Sequence, residues 1–378
     1  MKKILYIPSD TKGGVYYYRT YTPMKQLAED FGELFDVTVA NGMTFSPQDF
    51  EYAAGFDILI AHNGLFTAEA QDRFWKMVAY CRNKGVKTVL DLDDYWDYGT
   101  QHPAYEACRF NAFPEKMMIN FKLFEYVTTT TDYFAGVITR RFPAERVRVF
   151  PNAIARSDAQ FSEEKDKSPY LRIGLTGGSS HTSDIKQLLD LGRFLNDKQL
   201  DNIELVLCGY DPNGKQVDID ENGRVVGSRD IDEKDNWWFQ TELAFKKTFR
   251  HYRRVNTASI LNGEYGGIYR GIDVLLVPLN DTEFNACKSE LKFIEAGFTG
   301  TAVIASNVKP YSLWGENGED CVLVKRPNAE SWASAVKKIC NQKGLLEKIR
   351  INNMKKIKAK RSLEDVTEKR AEFFSEIA

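Results

Sequence analysis

The chain predicts an α/β fold built from two parallel-sheet domains, and three observations carry that expectation. Short apolar strands alternate with helical stretches from Lys3 to Asp93. The same scheme starts again at Leu171, beyond a polar segment. A strand–loop–helix–strand unit then runs from Asp273 to Ser306. Such alternation builds a parallel sheet, because each helix must carry the chain back across the sheet before the next strand.

Lys3 to Pro8 reads as the first strand. Ser9 to Arg19 follows as a loop around Gly13-Gly14, and Tyr21 to Phe31 has helical periodicity. Two adjacent glycines let backbone approach a ligand closely, although the loop is not the GxGxxG of dinucleotide sites. Asp36–Ala40 and Asp57–His62 are further strands. Phe74, Met77, Val78 and Cys81 mark a helix over residues 67–83, and Val86–Asp93 is the fourth strand. That strand ends in Asp91-Leu-Asp-Asp-Tyr-Trp-Asp97. Carboxylates crowded at one strand end must be solvated, paired or at work. One could act as a general base or orient an acceptor hydroxyl; the alternative is a helix start whose N–H groups they cap. The shared crevice with the Gly13-Gly14 loop favours a functional role.

A helix around Phe113–Tyr126, a strand at Val127–Asp132 and a helix to Phe142 come next, and Val147–Ile154 closes the domain. The polar, aperiodic stretch 156–168 is the linker. The expected division is 1–160, 169–345 and a helical tail over 346–378, basic first and then acidic. In the second half, Leu171–Leu175 is a strand. Thr176-Gly-Gly-Ser-Ser-His-Thr-Ser183 opens a helix from Asp184 to Asn196. A Gly/Ser/Thr loop before a helix suits phosphate, and equally serves as a plain turn. Glu204–Cys208 is a strand, and turns at Asn213-Gly214 and Asn222-Gly223 suggest a hairpin excursion. Trp237–Tyr252 reads as helical, with Lys246-Lys-Thr-Phe-Arg-His-Tyr-Arg-Arg254 as a solvated helix face rather than a phosphate contact. A helix over 264–271 leads to the strand at 273.

In the Asp273–Ser306 unit, Lys288 and Ser289 fall where a helix should begin, offering free N–H groups and a positive dipole end to phosphate. Lys292 and Glu295 share one helical face. A cation for a diphosphate and a carboxylate for ribose hydroxyls fit a nucleotide lying there. An ordinary amphipathic helix is the alternative. Cys321–Val324 and a helix over 328–341 complete the domain.

With 43% apolar and 28% charged residues, the composition is that of a globular chain. A net charge of −2 gives no global attraction to nucleic acid. Six cysteines without a CxxC pair, and four histidines without neighbouring ligand types, argue against a disulfide frame and a metal site. No apolar run is long enough for a membrane span. A reduced, cytoplasmic setting is expected, the host cytoplasm if the chain is phage-encoded.

Asp273–Pro278, Phe284, Lys288-Ser289, Leu291-Lys292, Glu295-Ala296-Gly297, Gly300 and Val303–Ser306 resemble the donor-site signature of glycosyltransferase family 4. Gly13-Gly14, Val149-Phe-Pro-Asn152 and Ile173–Gly178 look like that family's acceptor loop, domain end and second-domain start. The resemblance spans nearly the whole chain. It implies the GT-B frame, in which two Rossmann-like domains face each other across a cleft and a C-terminal helix returns to the first domain. The implied activity is sugar transfer from a UDP- or GDP-sugar to a hydroxyl acceptor such as a glycan, with no metal and no tightly bound cofactor. By the resemblance, Glu295 holds ribose, while Gly14, Thr176, Gly177, Gly178, Ser179, Lys288, Ser289, Leu291 and Lys292 bind the remainder of the donor. Asp93 or Asp94 serves the acceptor, as do Tyr18 and Arg19.

Two departures stand out. Cys287 occupies the place of the family's second Glu, and the 176–183 loop lacks Arg and Lys. Phage-type DNA base glucosyltransferases share the frame, and Lys292 and the Asp93/Asp94 pair match their layout, so DNA is a further candidate acceptor. Tyr16-Tyr-Tyr-Arg19 before a Pro-Met helix also looks like phage-encoded transferases. Cys287 motivates a third expectation, a nucleotide-sugar-binding protein without catalysis.

Overall fold

The computed structural model describes residues 1–178, 181–196, 200–210, 215–219 and 225–378. The first sheet contains β1 (Lys2–Ile7), β2 (Phe35–Val39), β3 (Ile58–His62), β4 (Lys87–Leu92), β5 (Tyr126–Thr129) and β6 (Val147–Val149). All are parallel, in the order β2-β1-β3-β4-β5-β6. The second holds β7 (Leu171–Thr176), β8 (Ile203–Tyr210), β11 (His251–Asn256), β12 (Val274–Val277), β13 (Ala302–Ser306) and β14 (Val322–Val324), parallel in the order β11-β8-β7-β12-β13-β14. Between β8 and β11, β9 (Lys215–Ile219) and β10 (Val225–Asp230) form an antiparallel pair of their own. That is the expected excursion, although its Asn-Gly turns lie outside the described residues.

Helices cover both faces of each sheet, which is why β3, β12 and β13 are buried at every position and read as unbroken apolar runs. In both sheets the chain reverses direction beside its first strand. The loops leaving β1 and β7 therefore open at switch points, where parallel sheets leave a crevice.

Helix Leu345–Lys360 packs on helix Leu291–Phe298 of the second domain, whereas helix Leu363–Ile377 lies on the first. Its Val366, Phe373, Phe374 and Ile377 join the core formed by Ile4, Met24 and Ile60. The crossing is stitched to the earlier one by Leu363 N–H to Ile154 O at 3.0 Å and Ile154 N–H to Arg361 O at 3.2 Å.

Three expected elements differ. The helix expected over Asp184–Asn196 is broken into Thr182–Ile185, a 3-10 turn at Lys186–Leu188, and Leu191–Leu195. The last piece packs so closely that a Cβ on Gly192 would stand 2.5 Å from the Thr248 carbonyl. The Trp237 helix stops at Lys246, and His251–Asn256 is edge strand β11 rather than a helix face, since pairing with β8 outweighs local propensity. Its cations are spent on neighbours: Lys246 and Arg254 reach Glu242 at 2.7 and 3.2 Å, and Arg250 pairs with Asp201. Residues Tyr265–Gly271 wind as a 3-10 helix.

Candidate active site

A cleft of about 590 Å³ lies between the two sheets. Its walls include Gly14 and Tyr18 from the first domain, and Thr176, Gly177, Gly178, His181, Leu291, Lys292 and Glu295 from the second. Ser179 lies outside the described residues. The loop after β1 is shaped by Asp10, whose carboxylate accepts from the N–H groups of Thr11, Lys12 and Gly13 at 2.7, 3.1 and 2.7 Å. Those donors are thus unavailable to phosphate. Gly14 faces open space. Across the cleft, Gly209 (φ +121°) lets β8 pass the Gly177 carbonyl, which a Cβ would approach to 2.6 Å.

Glu295 is 1% exposed yet borders this cleft. Tyr18 Oη, from the other domain, donates to its Oε1 at 3.0 Å. Oε2 accepts from Tyr269, from Tyr265 at 3.3 Å and from Lys292 Nζ at 2.7 Å. Lys292 also touches Tyr265 Oη at 2.8 Å. Burial alone would lower the Lys292 pKa, but the Glu295 carboxylate outweighs it and holds the ammonium charged. Lys292, expected as a diphosphate ligand, is therefore committed to Glu295. Tyr18, expected on the acceptor side, instead spans the domains to reach the expected ribose carboxylate.

Lys288 and Ser289 precede the helix rather than opening it, since the helix starts at Leu291 with Glu290 as its cap residue. Ser289 Oγ accepts from Asn152 Nδ2 at 2.9 Å. Lys288 makes no ion pair among the described residues. It rests 5.0 Å over the Phe284 ring, and its charge acts on Asp94, His102 and His181. Cys287 is fully buried, and burial pushes its thiol up to about 12, so it packs as an apolar residue.

The Asp91–Asp94 cluster separates into three fates. Asp91 is buried and grips Arg19, whose Nε lies 3.1 Å from Oδ2, with Tyr6 and Thr128 hydroxyls at 2.9 and 2.6 Å. Arg19 is 3% exposed and its remaining donors go to Phe150 O and Asn152 Oδ1 at 2.7 and 3.3 Å. The expected acceptor contact at Arg19 gives way: its guanidinium is enclosed, and through Asn152 it is linked to Ser289 of the second domain. Asp93 Oδ1 meets His62 Nε2 at 3.0 Å, and His62 Nδ1 meets Ser9 Oγ at 2.6 Å. Asp94 has no hydrogen bond or ion pair among the described residues. Burial, then the charge of Asp93, pushes its carboxyl up to about 6.

Sequence reasoning missed Ser9, His62, Tyr265, Tyr269 and His181. His181 lies in the expected phosphate loop, and Asp184 fixes its Nδ1 at 3.0 Å. Burial, then Lys288, lowers its pKa, so its imidazole is neutral near pH 7. The i,i+3 spacing of His181 and Asp184 was a usable signal. Ser9 with His62 had none, being 53 residues apart. Among the described residues no group of three or more His, Cys, Asp or Glu side chains is placed to share a metal ion. Nor is any described helix long and apolar enough to cross a membrane.

No protein-family profile and no curated protein sequence matches the chain. Solved structures do. HepE of Anabaena, crystallised with UDP and glucose, aligns over 100% of both chains with a TM-score of 0.70 at 12% identity. This chain has the GT-B fold. Sucrose-phosphate synthase of Thermosynechococcus elongatus aligns with a TM-score of 0.69 at 15% identity, over 100% of this chain and 99% of that one. A glycosyltransferase of Rickettsia africae aligns with a TM-score of 0.64 at 14% identity, over 100% and 98%. In that frame the interdomain cleft is the crevice of two facing sheets, and Glu295, Lys292 and His181 stand on its second-domain wall.

Proposed function

We propose that the protein transfers a sugar from a nucleoside diphosphate sugar, UDP-glucose or a close analogue, to a hydroxyl acceptor. One observation carries this: a buried carboxylate, Glu295, borders an interdomain cleft of about 590 Å³, large enough for a nucleotide sugar. Lys288, without an ion pair among the described residues, acts on His181 in the wall of that cleft. HepE, a protein of the same fold, was solved in complex with UDP-glucose. Glu295 receives a ribose hydroxyl. Lys288, neutral His181 and the backbone of Thr176–Gly178 face the diphosphate, where negative charge develops as the glycosidic bond breaks. Gly209, near the end of β8, and Asn256–Ile260, from the end of β11 onward, form the wall left for the base. Asp94, without a hydrogen bond or ion pair among the described residues, contacts the acceptor and positions it. Asp93 is spent on His62.

Calorimetric titration with UDP tests the donor site. Native protein binds, and Glu295→Gln and Lys288→Ala each weaken binding at least about tenfold, the size of one lost charge-assisted hydrogen bond. Unchanged affinity in both variants sinks the assignment. Release of UDP from UDP-glucose separates an enzyme from a protein that only binds.

A further inference from the structure

We infer that Ser9, His62 and Asp93 form a proton relay whose exposed end, the Ser9 hydroxyl, takes the proton of the attacking acceptor. The inference rests on the transferase reading above. Strands β1, β3 and β4 are adjacent and parallel, in register at Ile7–Ala61 and His62–Asp91. Their carboxyl ends therefore bring together Ser9, two residues past β1, His62, the last residue of β3, and Asp93, just past β4.

Both ring nitrogens of His62 are engaged, Nδ1 with Ser9 Oγ at 2.6 Å and Nε2 with Asp93 Oδ1 at 3.0 Å. The imidazole is 2% exposed and cannot meet an acceptor itself. Ser9 is exposed, and it begins the loop whose Lys12, Gly13 and Gly14 line the cleft. A nucleophile-type hydroxyl on a histidine, with that histidine held by a carboxylate, is the arrangement that moves a proton off oxygen. With Nε2–H fixed on Asp93, the Nδ1 lone pair points at the serine.

The step balances. The acceptor oxygen bonds the sugar C1 as the C1–O bond to phosphate breaks, and the nucleoside diphosphate leaves with that electron pair. The acceptor proton passes to Ser9 Oγ while the serine proton passes to His62 Nδ1. His62 becomes imidazolium against Asp93. In these terms Ser9 is catalytic, and His62 and Asp93 act through it. The charges facing His62 are Asp93, Asp91 and Asp94, which favour the imidazolium, and Arg19, which opposes it together with burial. The sum raises its pKa above the ordinary histidine value.

The test is UDP release from UDP-glucose by the whole chain, with water as acceptor, across pH 5 to 9. Only neutral His62 can accept, so native turnover rises with pH through a limb above the ordinary histidine value of about 6.5. Ser9→Ala lowers kcat by about 100-fold, within the range of general-base effects, and leaves KM for UDP-glucose within about twofold. Ser9→Thr restores part of the loss. Asp93→Asn moves the limb down, by about one pH unit for loss of a contacting charge. Native turnover in Ser9→Ala overturns the relay. So does a limb near pH 6 that vanishes in Asp94→Asn, which would make Asp94 the base. Failure of native protein to bind UDP would overturn the transferase reading itself, and the relay with it.

Discussion

Tyr18→Phe probes the contact that closes the expected ribose site before any nucleotide arrives. The phenol donates to Glu295 Oε1 at 3.0 Å, while its ring packs edge-on against Tyr17 with centroids 5.0 Å apart. Phenylalanine keeps the ring and removes only the donor. A hydrogen bond to a charged group contributes about 1.5–3 kcal/mol, and Glu295 is too buried for water to replace it. Free protein should therefore lose about 2 kcal/mol, lowering the midpoint of thermal unfolding by about 2–5 °C.

Binding should move the other way. A ribose hydroxyl reaching Oε1 must displace the Tyr18 hydroxyl, and that cost is subtracted from the native affinity. Without it, UDP should bind about 10–30-fold more tightly, since about 1.4 kcal/mol is a factor of ten. Thermal unfolding with and without UDP reads both quantities, because ligand binding stabilises the fold by mass action. The variant should start lower and gain more from UDP than native protein. Equal or weaker UDP affinity in Tyr18→Phe would refute the idea that Tyr18 occupies the ribose position.

Arg19→Met leaves Asp91 buried without its cation and should cost about 3–5 kcal/mol, measured by urea denaturation near pH 7. In native protein, burial would raise the Asp91 pKa, but the Arg19 guanidinium holds it at about 2. A folded value below the unfolded one stabilises the protein above about pH 4, and on the order of 2 kcal/mol is lost as pH falls from 4 toward 2. An Arg19→Met protein with native stability would show the pair to be dispensable. Gly297→Ala should cost about 1–3 kcal/mol, because the new methyl would stand 2.6 Å from Ile357 Cβ. Ile357→Ala in the same chain should relieve part of that cost, and strictly additive losses would contradict the steric cause.

Both sheets and the βαβ unit around Glu295 were legible in sequence, because buried parallel strands are apolar throughout and punctuated by glycine. The failures share a cause. Trp237–Tyr252 has helical character throughout, yet its end is recruited by β8, a partner some 45 residues away in sequence. Lys292 and Glu295 were correctly placed on one face, but spacing does not say that three tyrosines from two domains converge on the same carboxylate. The crowd Asp91–Asp94 signalled importance, while the division of labour among its members depends on Arg19 and His62, which stand on other elements.

The amino-acid sequence by itself thus determined the strand and helix periodicities, the twofold recurrence of a sheet domain, and the local pairing of Lys288, Lys292 and Glu295 with one turn and helix. These are properties of neighbours within a few residues, where backbone geometry alone sets which side chains share a face. Tertiary structure decided which charges are free. Lys292 and Asp93 are neutralised by partners, Arg19 is enclosed, and Lys288 and Asp94 are left without an ion pair among the described residues. Desolvation and Coulomb interaction act through space, so which ion stays unpaired depends on how distant segments meet.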